Sequence, residues 1–190
     1  MPNHREHFTG NGGGLGNKEQ IHRYQKIQAQ YLDMLLKERR IYKPSVLDVG
    51  AADGYLGSCM PHWNYTAVDP DPASPVVKKG TIDDIGGPFD LIVYNHVLEH
   101  IPDAFGELMR ARTRLKRRGL LFIAVPLGST PWAWDIEAHI HLFRPEVLER
   151  WCSHQGLVPI EHFEVTFRKG KPGDRHQGPM TELWFTARRA

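Results

Sequence analysis

Between residues 18 and 40, apolar side chains return at three- and four-residue steps: Ile21, Tyr24, Ile27, Tyr31, Met34 and Leu35. That period puts them on one face and predicts an amphipathic helix, either covering a sheet or serving as a lid over a ligand. Downstream the pattern changes to short apolar runs closed by Asp, Gly or Pro, over residues 46–49, 65–68, 89–95 and 119–126. Such runs predict buried strands. Residues 80–85 read as a further short strand. The span from Asp69 to Asp90 is too short for two helices and a strand, so one sheet face is thinly covered there. Residues 102–118 predict a helix with an early proline and with Phe105, Leu108, Met109 and Leu115 inward. Residues 144–156 predict a short amphipathic helix ending at Gly156. Two final strand-like runs, 158–167 and 183–187, are joined by a polar connection, 169–178, which reads as a long mobile loop. Residues 1–16 are polar and glycine-rich and read as a flexible leader, leaving 17–190 as one domain. No internal repeat is visible.

Composition narrows the class. A chain of 190 residues, 41% hydrophobic and 24% charged, can bury a core as a single globular domain. Its net charge of +2 is too mild to argue for nucleic acid. Two cysteines, Cys59 and Cys152, cannot build a disulfide framework, so a reducing cytoplasm is the expected compartment. There is no apolar run of membrane length and no signal-peptide core near Met1. Monomer and homodimer both remain open.

The chemistry begins at Val46-Leu-Asp48-Val-Gly50-Ala51-Ala52-Asp53-Gly54-Tyr-Leu-Gly57. A strand, a glycine turn and a helix start bring backbone close to a nucleotide in an open α/β sheet. Glycine serves there because a side chain would block the ligand or because φ must be positive. The spacing is not the G-x-G-x-x-G of nicotinamide-binding folds. About twenty residues on, Asp69-Pro70 closes the next strand, where an acid suits the two hydroxyls of a ribose.

These residues resemble the first motif of class I S-adenosylmethionine (SAM) dependent methyltransferases, D-x-G-x-G-x-G, with Ala52 in place of the middle glycine. Three further stretches extend the likeness. Gly80-Thr-Ile82-Asp83-Asp84 matches the region that meets adenine, Asp83 being preferred over Asp84. Phe89-Asp90…Asn95-His96-Val97-Leu98-Glu99-His100-Ile-Pro-Asp103 is similar to the form common in small-molecule methyltransferases of the ubiquinone-biosynthesis type. Leu115-Lys-Arg-Arg-Gly119 matches the family's turn into the fifth strand. Five motifs fall in order between residues 44 and 156. The resemblance implies a Rossmann-like, seven-stranded, mostly parallel sheet with helices on both faces and a C-terminal antiparallel hairpin. It implies SAM as cofactor and S-adenosylhomocysteine as product. The expected contacts are Asp48, Gly50, Ala51, Ala52, Asp53 and Gly54 in the turn, Asp69 and Pro70 at the ribose, Ile82 and Asp83 at adenine, and Asn95 with His96 nearby.

SAM carries its own leaving group, so such a protein needs alignment and, for a hydroxyl or amine acceptor, a base. The candidates are His96, Glu99 and His100 after the fourth strand, and Asp135, Glu137, His139 and His141 in the loop 128–142. Of these, His100, His139 and His141 are the expected catalytic residues. Trp132 and Trp134 could wall a pocket for a planar acceptor. The bland reading of each histidine is a loop anchor. The expected partner is a small molecule accepting the methyl on O, N or C. An alternative comes from the metal-dependent methyltransferases of small-RNA 3′ ends, whose Glu-x-x-Glu-His plus a later His holds a divalent ion. Here His96, Glu99, His100 and His139 would be the set, although the expectation is no resident metal. The basic run Arg110, Arg112, Arg114, Lys116, Arg117 and Arg118 could meet phosphates, or be a solvated helix face. A SAM-binding protein without transferase activity and a nicotinamide-binding Rossmann protein are the remaining rivals.

Overall fold

The computed structural model describes residues 18–134, 137–169 and 179–190. The leader, Asp135, the connection 170–178 and the side chain of Trp132 lie outside the described residues. The elements run α1 (Lys18–Glu38), β1 (Ser45–Val49), α2 (Tyr55–Ser58), β2 (Asn64–Asp69), β3 (Lys78–Lys79), a 3-10 turn at Ile82–Asp84 and β4 (Phe89–Asn95). A second 3-10 turn at Leu98–His100 follows, then α3 (Ala104–Arg114), β5 (Leu115–Pro126), α4 (Pro131–Trp134), α5 (Pro145–His154), β6 (Leu157–Lys169) and β7 (Pro179–Arg189). Seven strands form one sheet in the order β3-β2-β1-β4-β5-β7-β6. Only β7 runs antiparallel to its neighbours. The chain therefore reverses its direction of winding between β1 and β4, and ligands of open α/β sheets bind beyond the carboxyl ends of strands at such a point.

Alternation along the strands feeds two cores. Leu91 and Val93 of β4 pack with Leu32, Leu35 and Leu36 of α1, together with Phe122 and Trp184. Ile92 and Tyr94 point the other way, to Leu108 of α3 and Leu148 of α5, with Ile123 and Phe185. Asp90 clamps the opposite end of the sheet. Its Oδ2 accepts from the Ser45 amide and hydroxyl, both at 2.8 Å, and pairs with Lys116 Nζ at 2.7 Å, tying β1, β4 and β5 together.

Four expectations are corrected. The inward face of α1 is rotated from the apolar pattern. Ile27 and Met34 are exposed, while Gln25, Gln28 and Asp33 are buried because polar partners await at least Gln28 and Asp33. Residues 80–85 are not a strand; pairing ends at Lys79, and Thr81 caps a 3-10 turn instead. The helix expected over 102–118 covers only Ala104–Arg114, because the chain extends into β5 from Leu115. On that helix Phe105 and Met109 are exposed, since the stripe facing the core is Ala104, Leu108 and Ala111.

Asp33 shows why α1 is rotated. Its Oδ1 lies 3.1 Å from the buried Trp63 indole N–H, which donates to it, and 2.7 Å from His62 Nε2; Lys37 Nζ sits 2.7 Å from Oδ2. Burial pushes this carboxyl up, but Lys37, Trp63 and His62 outweigh burial and hold it below its usual value. Asp33→Ala leaves the indole N–H unsatisfied and should cost about 1–3 kcal/mol in urea unfolding at neutral pH. Because the folded-state pKa is depressed, that contribution is present above the ordinary carboxylate pKa and is lost as pH falls. The wild-type advantage should therefore shrink toward acid pH.

Candidate active site

The loop after β1 is wound by three left-handed residues, Gly50 (φ 75°), Ala52 (φ 49°) and Gly54 (φ 74°). A Cβ on Gly50 would lie 2.2 Å from a Val97 methyl, so the glycine is required by the neighbouring loop as well as by φ. Ala52 adopts the same region at a steric cost of roughly 1 kcal/mol that glycine would not bear. Asp69, at the tip of β2, holds this turn: Oδ2 accepts from the Ala52 amide at 2.9 Å and Oδ1 from the Asp71 amide at 2.8 Å. Each carboxylate oxygen has two acceptor sites, so both retain capacity for a ligand hydroxyl. Pro70 beside it is exposed.

Asp48 is buried beneath the turn, and the Tyr65 hydroxyl donates to it at 2.6 Å. Burial, together with the nearby charges of Asp69 and Asp53, pushes its carboxyl up to about 7. Asp53 is engaged by α1: His22 Nε2 lies 3.0 Å and Lys18 Nζ 3.2 Å from its Oδ2, and His22 stacks on Tyr55 at 3.7 Å. Ala51 is buried. On the adenine side Ile82 is buried, whereas Asp83 is turned outward to Arg114 at 3.1 Å. Asp84 is spent on capping the turn.

Beyond β4, Asn95 exchanges two hydrogen bonds with Gln28 of α1, at 3.0 and 2.9 Å. His96 follows with φ 56°, a strained conformation for a residue with a side chain, and its amide donates to the Ala124 carbonyl at 2.8 Å. Its ring lies between two buried carboxylates, with Nε2 2.5 Å from Glu182 Oε1 and Nδ1 3.4 Å from Glu99 Oε1. Glu182, on β7, also accepts from the Tyr24 hydroxyl of α1 and from the Trp184 indole N–H at 2.9 Å. The motif search missed Glu182 entirely. The signal was present as a lone acid entering an otherwise apolar strand, where alternation demands burial.

Of the three histidines expected to be catalytic, two meet. His100 and His139 have ring centroids 5.0 Å apart, beside the buried carboxylate of Glu99. The amides of Ile140 and His141 donate to the Glu99 carbonyl at 2.9 and 3.1 Å, which docks the loop after β5 against the turn after β4. His141 itself turns away, its Nε2 lying 3.0 Å from the Ile101 carbonyl and 3.2 Å from that of Pro102, and serves as a loop anchor. Burial lowers the His139 pKa, favouring the neutral ring. Trp134 is exposed and its indole N–H donates to Gly128 O at 2.8 Å; Glu137 is exposed. Three of the six residues of the basic run are paired internally: Arg110 with Glu107, Arg114 with Asp83 and Lys116 with Asp90.

The winding reversal, the glycine turn after β1 and the acid ending β2 define a class I methyltransferase architecture. Residues 20–162 match the family described as "Methyltransferase domain", and the chain belongs to that family: it is a SAM-dependent methyltransferase. No curated protein matches the chain. Its fold is similar to that of 1,6-didemethyltoxoflavin-N1-methyltransferase from Burkholderia thailandensis, crystallised with 1,6-didemethyltoxoflavin and S-adenosylhomocysteine (TM-score 0.67, 19% identity, 87% of this chain and 78% of that one). It is also similar to the N-methyltransferase NodS from Bradyrhizobium japonicum WM9 in complex with S-adenosylhomocysteine (0.61, 18%, 90% and 87%). A SAM-dependent methyltransferase from Archaeoglobus fulgidus shares the fold as well (0.62, 14%, 85% and 94%). Among the described residues no helix is long and apolar enough to cross a membrane.

The His96–Glu182 contact has a measurable signature. Burial alone would lower the His96 pKa, but Glu182 and then Glu99 outweigh it and raise it from 6.5 to about 10. A raised folded-state pKa gives stability that is fully present below 6.5 and is lost as pH rises through about 10. Urea unfolding between about pH 7 and pH 10 should show stability falling with pH in the wild type, and Glu182→Gln should flatten that slope.

Proposed function

We propose that the chain transfers the methyl group of SAM to an O, N or C atom of a small-molecule acceptor, with the donor across the carboxyl ends of β1, β2 and β4. SAM supplies an electrophilic methyl and its own sulfur leaving group, so no covalent nucleophile is required of the protein. The observation that carries this reading is Asp69: a strand-end carboxylate beside a left-handed glycine turn, with acceptor capacity on both oxygens. It suits a ribose diol, and the turn beside it offers close backbone approach. Asp48 supports the turn from below, and above its pKa of about 7 it adds negative charge near the donor's ammonium. Ile82 packs on the adenine side; Asp83, paired with Arg114, reaches adenine only by giving up that pair. The α1 helix contributes as a cover, since Lys18, His22 and Gln28 all engage loop residues at this end of the sheet.

His100 and His139 stand where the loops after β4 and β5 converge, and we assign them to the acceptor. A neutral imidazole there can take the proton of a hydroxyl or amine as the methyl arrives. A small acceptor is favoured over nucleic acid because half of the basic run is already neutralised by acids of the same chain. We further place the protein in the cytoplasm, with two free cysteines and a fold that needs no disulfide.

Asp69→Ala should weaken SAM by roughly 2–3 kcal/mol in calorimetry, through loss of two charge-assisted hydrogen bonds. Unchanged affinity in a folded variant would sink the ribose assignment. His100→Ala and His139→Ala should retain SAM affinity and lose about 10²–10⁴ in turnover once an acceptor is identified. Turnover that survives both would leave alignment as the sole source of rate.

A further inference from the structure

Glu99 poses a problem that methyl transfer does not resolve. It is 1% exposed, yet neither carboxylate oxygen receives a well-formed hydrogen bond from the described residues. The nearest cationic groups are His96 Nδ1 at 3.4 Å and His100 Nε2 at 3.8 Å. A buried carboxylate normally gathers several N–H donors or a counter-charge, because desolvation costs several kcal/mol. Beside it stand His100 and His139, and one donor atom from each of the three residues lies within 4.8 Å of the others. The two rings share a second feature. His100 Nδ1 lies 2.9 Å from the Ala138 carbonyl, and His139 Nδ1 lies 2.8 Å from that of Ala133. A carbonyl can only accept, so each Nδ1 carries a proton, and in the neutral form of each ring Nε2 is the nitrogen that can ligate. A backbone carbonyl on the outer nitrogen is how metal-ligating histidines are commonly oriented.

We propose that Glu99, His100 and His139 bind a divalent transition cation through one carboxylate oxygen and two Nε2 atoms. Two imidazoles and a carboxylate suit zinc, cobalt or manganese, whereas magnesium and calcium favour all-oxygen shells. Bonds of about 2.0–2.1 Å place tetrahedral ligand atoms roughly 3.3 Å apart, so the cluster closes by about 1.5 Å at most on loading. His139 sits on the loop after β5 and can supply that movement by rotating its ring. His96 is not a ligand, because both its nitrogens face carboxylates. Its positive charge is shared between Glu182, at 2.5 Å, and Glu99, at 3.4 Å, so a cation would share the Glu99 carboxylate with it. His141 is excluded by its bonds to the Ile101 and Pro102 carbonyls. The set therefore differs from the four-residue set and from the metal-free site that the sequence suggests. Three protein ligands leave coordination positions for an outside oxygen. Resting on the methyltransferase reading, that oxygen is the acceptor's hydroxyl: with both Nε2 atoms on the cation the rings would no longer serve as bases, and the ion would instead lower the hydroxyl's pKa so that its proton leaves to solvent.

The test uses the full-length, tag-free chain, stripped with EDTA and titrated with cobalt(II), zinc(II) and manganese(II) chloride. Calorimetry and the cobalt visible spectrum are the readouts, and S-adenosylhomocysteine is titrated into the same preparation. One equivalent of cobalt or zinc should bind, with d–d bands that mark nitrogen ligation. Glu99→Gln and His139→Gln should each weaken binding beyond the roughly 10–100-fold that loss of an outer partner costs, while His141→Ala keeps it. Circular dichroism checks each fold, and His139 on its loop keeps the test open if the buried Glu99 variant misfolds. No binding of any of the three ions, or stoichiometric binding that survives both glutamine variants, overturns the site. S-adenosylhomocysteine that still binds in that case leaves the methyltransferase reading standing; its failure to bind would count against that reading separately.

Discussion

The carboxylate of Glu182 lies near the start of β7 with no exposure to solvent, and the arrangement of the site depends on satisfying it. An unpaired charge at that depth would cost several kcal/mol. Two groups from distant parts of the chain, the Tyr24 hydroxyl of α1 and the His96 ring after β4, prevent this together with the Trp184 indole two residues along the strand. Their convergence fixes the first turns of α1 over the sheet and the direction of the chain leaving β4. It also makes His96 a buried cation, which in turn steadies Glu99 on its far side. A chain of charges thus links the last strand to the loop that carries His100.

Polar contacts of the same kind position α1 along its length. Gln28 meets Asn95, Asp33 meets Trp63, and Tyr31 donates to Glu161 at 2.9 Å. Apolar burial by Leu32, Leu35 and Leu36 supplies most of the driving force, while the polar pairs decide which face turns inward. A helix held this way is a docked element against the sheet. Its N-terminal turn is the exception, attached through the exposed Lys18 and the partly exposed His22 to Asp53, and screened accordingly.

Much of this was legible in the sequence, for identifiable reasons. Strands β1, β2, β4 and β5 are short apolar runs with a turn residue at the end, so their existence and order follow from local pattern. The glycine turn and Asp69 follow from motif spacing. The face of α1 was not legible, because hydrophobic periodicity counts Ile27 and Met34 and cannot foresee partners for Gln28 and Asp33. Phe105 and Met109 misled for a related reason: in a helix of eleven residues, only one narrow stripe reaches the sheet. Strand β3 has two residues, too few for any alternation to register. The pairing of His100 with His139, and the departure of His141, depend on which way a loop turns after docking on the Glu99 carbonyl, a tertiary fact with no local signature.

Two residues with side chains, Ala52 and His96, adopt left-handed backbone on adjacent sides of the winding reversal. Each carries strain on the order of 1–3 kcal/mol, which persists only where surroundings over-determine it. For His96 the determinants are internal: an amide bond to Ala124 and a ring held between Glu182 and Glu99. For Ala52 the determinant is the carboxylate of Asp69, which accepts from its amide. The group proposed to hold the ribose is therefore the same group that holds the turn. A ligand that occupies the remaining acceptor sites of Asp69 fixes the carboxylate further and so stabilises the conformation it needs. On that proposal donor affinity and loop order are coupled through one side chain, and the loop at Ala52 is the place where the coupling has a strain to work against.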